Sequence, residues 1–241
     1  MGKLGAGTAE RAKAPETLAN VELLAALTPA ERQAVEKRCR WKRFDKDEQI
    51  IDRETDSTDV YFVASGAVRI VNYSLAGREI TFDDIEAGGH FGELAALDGA
   101  KRSASVVATK PTLTASLDAA AFREVLATHP AIALTLLQRL ARIIRQSTGR
   151  IMDLSSLGAH NRIYAELLRE ARAGGLAGNR ATIKPIPVHA DLAGRVSTTR
   201  ETVARVLNDL ARKQIVEREK GALVILDVKR LSAMVEEFRG D

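Results

Sequence analysis

Between Phe91 and Ser103 the chain reads Phe-Gly-Glu-Leu-Ala-Ala-Leu-Asp-Gly-Ala-Lys-Arg-Ser, a set of residue types suited to holding an anion. Gly92 lets backbone approach a ligand, and the amides of Glu93, Leu94, Ala95 and Ala96 open a short helix whose donors face negative charge. Arg102 offers a planar fork to two phosphate oxygens, Ser103 adds a hydroxyl, and Glu93 accepts from a sugar hydroxyl. A phosphorylated ribose presents both of these polar ends. The same residues also permit a plainer arrangement, in which Arg102 pairs with Glu93 or Asp98 on a loop and Gly92 only ends a strand.

Strands must position this stretch. From Trp41 to Asp118 the apolar period is two, in runs at Gln49–Ile51, Val60–Val63, Val68–Val71, Ile80–Phe82, Ala104–Val107 and Leu113–Leu117. Turn signals at Asp56-Ser57, Ser65-Gly66, Ala76-Gly77 and Gly88-Gly89 separate them at short, even intervals, which predicts an antiparallel roll or jelly roll with the anion-holding stretch as an insertion. Ahead of it, Met1 to about Leu18 lacks an apolar period and is expected to be a mobile tail. Two short helices follow, the second opened by the capping box Thr28-Pro29-Ala30-Glu31.

Phe122–His129 reads as a short helix, and a long one is expected from Pro130 to about Leu157. Leu136, Leu140, Ile143, Ser147, Arg150, Leu154 and Leu157 alternate steps of four and three, and Leu137, Ala141, Ile144, Thr148, Ile151 and Ser155 run beside them. One stripe can cover the roll while the other meets a second copy of the helix, so a parallel homodimer is expected; burial of the whole helix within one monomer is the alternative. Ser147 and Thr148 interrupt these stripes at mid-helix, where a hydroxyl can also bond back to the preceding turn.

The C-terminal third carries a second motif. After a helix at Ala159–Ala173 and a loop at Gly174–Asn179, the stretch from Val188 to Lys213 reads as two helices around the turn Ser197-Thr198-Thr199, a helix-turn-helix. Val203, Val206, Leu207 and Leu210 face inward, leaving Arg200, Glu201 and Arg205 outside near the start of the second helix. Arginine reads guanine bidentately and glutamate accepts from the cytosine amino group, so these three are candidates for a major groove. Glu201 has a competing role, since Thr198 to Glu201 also spells a capping box. Thr199 and Thr202 are placed to reach phosphates. A β-hairpin wing at Ile215–Leu226 and a helix at Val228–Phe238 close the chain.

In this order, a Gly-Glu-Leu…Arg-Ser cassette in a β-roll, a long helix and a winged helix-turn-helix with Arg200-Glu201-Thr202-Val203-x-Arg205-Val206-Leu207 resemble the bacterial cyclic AMP receptor/FNR (Crp/Fnr) family of transcription regulators, over about residues 20–235. The resemblance implies an α+β chain divided into a tail (1–18), a cyclic nucleotide-binding β-roll (19–128), a dimerisation helix (129–157) and a DNA-binding domain (158–241). It further implies that Gly92, Glu93, Leu94, Ala95, Arg102 and Ser103 hold ribose and cyclic phosphate, that Ser147 and Thr148 touch the purine, one of them from the partner subunit, and that the effector is cyclic AMP, with cyclic GMP second. A family member whose pocket is vestigial or takes another small molecule, and which binds DNA constitutively, is the alternative. Double-stranded DNA and a second copy of the chain are then partners, with RNA polymerase a further candidate. Three positions depart from the family pattern: Ile143 stands where an arginine is usual, Ser197 replaces the glycine of the turn, and Gly158 replaces an aspartate that caps the next helix.

Composition agrees with a regulator of this kind. The 241 residues carry a net charge of +4 with a pI near 9.3. From Ala159 onward there are 15 Lys and Arg against 11 Asp and Glu, so the whole excess lies in the segment expected to meet a polyanion. Cys39 is the only cysteine, and His90, His129, His160 and His189 are scattered as surface or capping residues, so no disulfide framework, metal site or catalytic cofactor is expected. The missing ligand histidines and the lack of a nucleophile beside a base set aside a cupin-like enzyme and catalysis in general. With no apolar run near the ~20 residues that span a bilayer and no signal-peptide core, a cytoplasmic protein without membrane contact is expected.

Overall fold

A computed structural model describes residues 15–74 and 79–237. The expected turn at Ala76-Gly77 and most of the expected tail lie outside the described residues. The tail's last residues are nevertheless fixed, contrary to expectation: Leu18 is fully buried, its amide donates to Glu36 Oε1 at 2.7 Å, and Thr17 Oγ1 donates to the same oxygen at 3.0 Å. A single leucine carries the apolar contact, which is why no period announces it.

A 3-10 turn at Glu22–Leu24 leads into α1 (Pro29–Arg38), which begins with the expected capping box between Thr28 and Glu31. Eight strands follow: β1 (Arg40–Phe44), β2 (Gln49–Ile51), β3 (Val60–Ser65), β4 (Ala67–Tyr73), β5 (Glu79–Glu86), β6 (His90–Phe91), β7 (Ser105–Ala108) and β8 (Thr112–Leu117). They form two four-stranded sheets, ordered β1-β8-β3-β6 and β2-β7-β4-β5, the β-roll that the period of two requires. All six residues of β8 are buried; Thr112 Oγ1 donates to Ala67 O at 2.9 Å and Ser116 Oγ to Arg40 O at 3.4 Å, while the buried Thr114 hydroxyl has no hydrogen-bond partner among the described residues. Ile51, Val63, Val68, Ile85, Phe91 and Val106 pack a core directly behind the start of the anion-holding stretch. His90, expected at the surface, is buried in β6.

Within the roll, α2 (Glu93–Asp98) interrupts the strand series, and α3 (Ala119–Thr128) follows it, capped by Asp118, whose carboxylate accepts from the Ala121 amide at 2.9 Å. The long helix is α4 (Pro130–Ser156). Beyond it lie α5 (Ala159–Gly174), β9 (Leu176–Ala177), β10 (Arg180–Ile183), α6 (His189–Arg195), α7 (Arg200–Arg212), β11 (Val216–Glu219), β12 (Ala222–Ile225) and α8 (Val228–Glu236). The wing is larger than the expected hairpin: β10 pairs with β12 and carries β9, giving the order β11-β12-β10-β9. Ile163, Leu167, Val203, Leu210, Ile225 and Leu231 lie in the core of this region.

The chain forms two compact units, 1–70 with 84–135, and 71–83 with 136–241. The central part of the β4–β5 hairpin therefore belongs with the helix-turn-helix. Among the described residues no helix is long and apolar enough to cross a membrane.

Candidate functional site

In the first unit, β6 delivers the chain to Gly92, which sits at φ +83° as the N-cap of α2 and supplies no side-chain cap. A Cβ there would lie 2.7 Å from Arg102 Nη1 and 2.9 Å from Asp59 O, so glycine is demanded by conformation and by space. Gly92→Ala is expected to cost about 1–3 kcal/mol of stability and to displace Arg102, measurable as a lower urea midpoint together with weakened ligand binding.

Arg102 is 4% exposed. Its Nε donates to Ser57 Oγ at 3.0 Å, Nη1 to Gly92 O at 2.9 Å and Nη2 to Asp59 O at 2.8 Å. Of the five guanidinium N–H groups, one on each terminal nitrogen is left, enough for a two-oxygen fork. The guanidinium lies 5.9 Å from the centroid of the Tyr61 ring, which stacks on Phe91 at 5.0 Å. Burial pushes the pKa of Arg102 below its ordinary value, and Tyr61, Asp59 and Glu93 only partly offset that. A buried cation whose hydrogen bonds go to neutral acceptors favours an incoming anion. Asp98, the other carboxylate considered for Arg102, accepts from the Ala100 amide instead, at 2.9 Å. Glu93 and Ala95 are buried, while Leu94 and Ser103 are exposed.

Ser57, Asp59 and Tyr61 were not legible as parts of this site. Two of them act through a loop hydroxyl and a backbone carbonyl, and only the pairing of β3 with β6, Tyr61 opposite Phe91, brings them near Arg102.

In the second unit, Ser147 and Thr148 are exposed on α4, and the Thr148 hydroxyl donates back to Ile144 O at 3.0 Å. Leu137, Ile144 and Ile151, seven residues apart, are 62%, 65% and 62% exposed, an apolar stripe along one side of the helix.

The helix-turn-helix is built as its pattern demands. α7 buries Val203, Val206, Leu207 and Leu210 and leaves Arg200, Glu201 and Arg205 exposed, with Thr202 half-buried. The N-cap is Thr199, one residue later than the capping box expected at Thr198: Thr199 Oγ1 accepts from the Thr202 amide at 3.2 Å. Glu201 is thereby displaced from the capping position. Its own amide and the Thr199 hydroxyl hold its carboxyl below the usual range. Ser197 resolves the missing glycine by adopting φ +52°. Ser197→Gly is expected to raise stability by about 0.5–1 kcal/mol, read from urea melts, because the left-handed residue would lose its Cβ penalty.

Arg162 clamps the turn in a way the sequence did not announce. Its Nε donates to Val196 O at 2.8 Å, Nη1 to Leu157 O at 2.8 Å and Nη2 to Ser197 O at 3.1 Å. Gly158, the N-cap of α5, makes no side-chain cap, as its lack of a side chain requires.

Known proteins share these features. Residues 41–129 match the model of the cyclic nucleotide-binding domain and residues 161–234 that of the Crp-like helix-turn-helix domain. The chain is 35% identical over 179 residues to a cyclic AMP receptor protein of Thermus thermophilus, covering 74% of this chain and 78% of that one. It is 27% identical over 218 residues to a CRP-like cAMP-activated global transcriptional regulator of Mycobacterium tuberculosis, covering 90% and 97%. Its structure resembles that of a CooA mutant from Carboxydothermus hydrogenoformans, with a TM-score of 0.77, 25% identity and coverage of 91% and 95%.

Proposed function

Because the chain belongs to the Crp/Fnr family of transcription regulators, we propose that cyclic AMP, with cyclic GMP the second candidate, binds at Arg102 and controls attachment of α7 to a palindromic DNA operator. The chain is a regulator and not an enzyme. The observation that carries the effector assignment is the buried Arg102 beside Gly92, held by Ser57 Oγ, Gly92 O and Asp59 O and with two N–H groups in hand. Gly92, Leu94 and Ala95 supply backbone around the cyclic phosphate, Ser103 adds a hydroxyl to it, Glu93 accepts from a ribose hydroxyl, and Ser147 and Thr148 make the purine contacts. The names of the Thermus and Mycobacterium relatives support cyclic AMP over cyclic GMP.

The exposed stripe Leu137, Ile144 and Ile151 supports a homodimer joined along α4. Two copies of α7 then lie ~34 Å apart over successive major grooves. Arg200, Glu201 and Arg205 read bases, while Thr199 and Thr202 position the helix on phosphates. Nucleotide acts by its difference in affinity for two arrangements of the dimer. A DNA partner places the protein in the cytoplasm, where the bound dimer recruits or blocks RNA polymerase.

Titration calorimetry with cyclic AMP, cyclic GMP and 5′-AMP tests the effector, and operator titrations at one salt concentration with and without nucleotide test the coupling. Cyclic AMP is expected to bind most tightly and to strengthen operator binding. Equal binding of 5′-AMP overturns the cyclic phosphate assignment, and unchanged operator affinity overturns the switch.

A further inference from the structure

Six charged side chains meet in the second unit, outside both sites described above. Arg150 and Asp153 come from the distal end of α4, Glu166, Arg169 and Glu170 from α5, and Arg195 from α6, the first helix of the helix-turn-helix. Glu166 is the centre. Its Oε2 accepts from Arg169 Nε at 2.8 Å, and its Oε1 lies 3.8 Å from Arg150 Nη2 and 4.0 Å from Arg195 Nη1. Arg169 Nη1 reaches Asp153 Oδ2 at 2.5 Å, and Arg195 pairs with Glu170. The side chains of Asp153 and Glu166 are 2% and 3% exposed, the arginines 22–30%.

The cluster also holds the β4–β5 hairpin. Arg150 Nη1 donates to Phe82 O at 2.6 Å. On the same strand, the buried Thr81 lies so close to α6 that a Cβ at Gly194 would stand 3.2 Å from its hydroxyl and 3.5 Å from Glu79 O. β5, the α4–α5 pair and α6, three stretches separated in sequence, therefore meet at one set of charges.

Buried ion pairs add little net stability, since desolvation offsets much of their attraction, but removing one partner strands the others. Their better-attested use is to select one arrangement of the elements they join. Hydrophobic contacts between helices tolerate sliding by small steps, whereas directed bonds from Arg169 to Glu166 and Asp153 and from Arg150 to Phe82 O, with Arg150 and Arg195 at ion-pair distance from Glu166, do not.

We infer that Glu166 is a positioning residue, which with Arg150, Arg169 and Arg195 locks α6 and the β4–β5 hairpin to the distal end of α4. A movement of α4 is thereby carried to the helix-turn-helix as a rigid displacement. This last step rests on the switch proposed above, while the lock itself does not.

The lock is tested by amide hydrogen exchange of the full chain in wild type, Glu166→Gln, Arg150→Gln and Arg150→Lys. Arg150→Gln removes a partly exposed group, against the buried Glu166, and is the variant less prone to a folding failure. Exchange in α6 and β5 is expected to rise roughly tenfold in both Gln variants, as for loss of a charged hydrogen bond. Exchange in α7, β11 and β12 is expected to hold, and Arg150→Lys to keep the wild-type pattern. Unchanged exchange in α6 and β5 of folded Arg150→Gln overturns the lock, and so does an equal rise throughout the unit, which marks simple destabilisation. In parallel, the ratio of operator affinities with and without cyclic AMP is expected to fall at least ~5-fold in Glu166→Gln. A wild type with no such ratio refutes the switch alone, because the exchange result stands independently.

Discussion

Arg102→Ala is expected to weaken cyclic nucleotide binding by at least ~100-fold, since under the proposed function the side chain would supply two charge-assisted bonds to phosphate at roughly 1.5–3 kcal/mol each. The substitution also frees Gly92 O, Asp59 O and Ser57 Oγ from their donor, so a second effect on folding must be separated from the first. Arg102→Lys makes the separation. Lysine keeps the positive charge, but a single ammonium cannot satisfy three divergent acceptors and still fork onto a phosphate. It is therefore expected to recover part of the stability and little of the affinity. Calorimetry gives the affinity, and urea unfolding without nucleotide gives the stability. Binding retained within threefold in folded Arg102→Ala contradicts the placement of phosphate at this residue.

What could be read beforehand depended on how far along the chain each interaction reaches. Gly92, Glu93, Arg102 and Ser103 lie within twelve positions, and their order alone carried the anion chemistry. The capping box at Thr28 and the inward face of α7 are also local, and both were found as expected. Two of the three acceptors that fix Arg102 come from residues 57 and 59 through strand pairing, which no linear pattern encodes. Burial of Leu18 depends on a partner 18 residues away, and β10 became legible as a strand only through its pairing with the wing. The charge cluster was hidden for a related reason. Arginine and glutamate on helices normally mark solvent faces, so Glu166, Arg169 and Arg195 gave no sign that they converge. Arg150 was misleading in another way, since it occupied a position in an otherwise apolar stripe while its guanidinium reached the backbone of β5.

If α4 joins two copies as proposed, Ile144→Asp is expected to convert the dimer into a monomer and to weaken operator binding by ~100-fold or more, because two linked half-site contacts gain about 10²–10⁴ in avidity over one. The residue is 65% exposed at the middle of the stripe formed by Leu137, Ile144 and Ile151, so the substitution disturbs no core within the chain. In a monomeric protein an exposed isoleucine on a helix can be exchanged within about 0.5 kcal/mol, and the unfolding midpoint, mass and DNA affinity would all hold. In a parallel helix pair the same position faces its own copy, where two carboxylates would meet in an apolar seam at a cost of several kcal/mol. Sedimentation equilibrium gives the mass, and operator titration at fixed salt gives the affinity. A single half-site duplex supplies the control: its affinity is expected to be nearly the same for wild type and variant, since Arg200, Glu201 and Arg205 are untouched. A variant that stays dimeric, or loses half-site and full-site binding equally, rules out α4 as the element that joins the two DNA-reading helices.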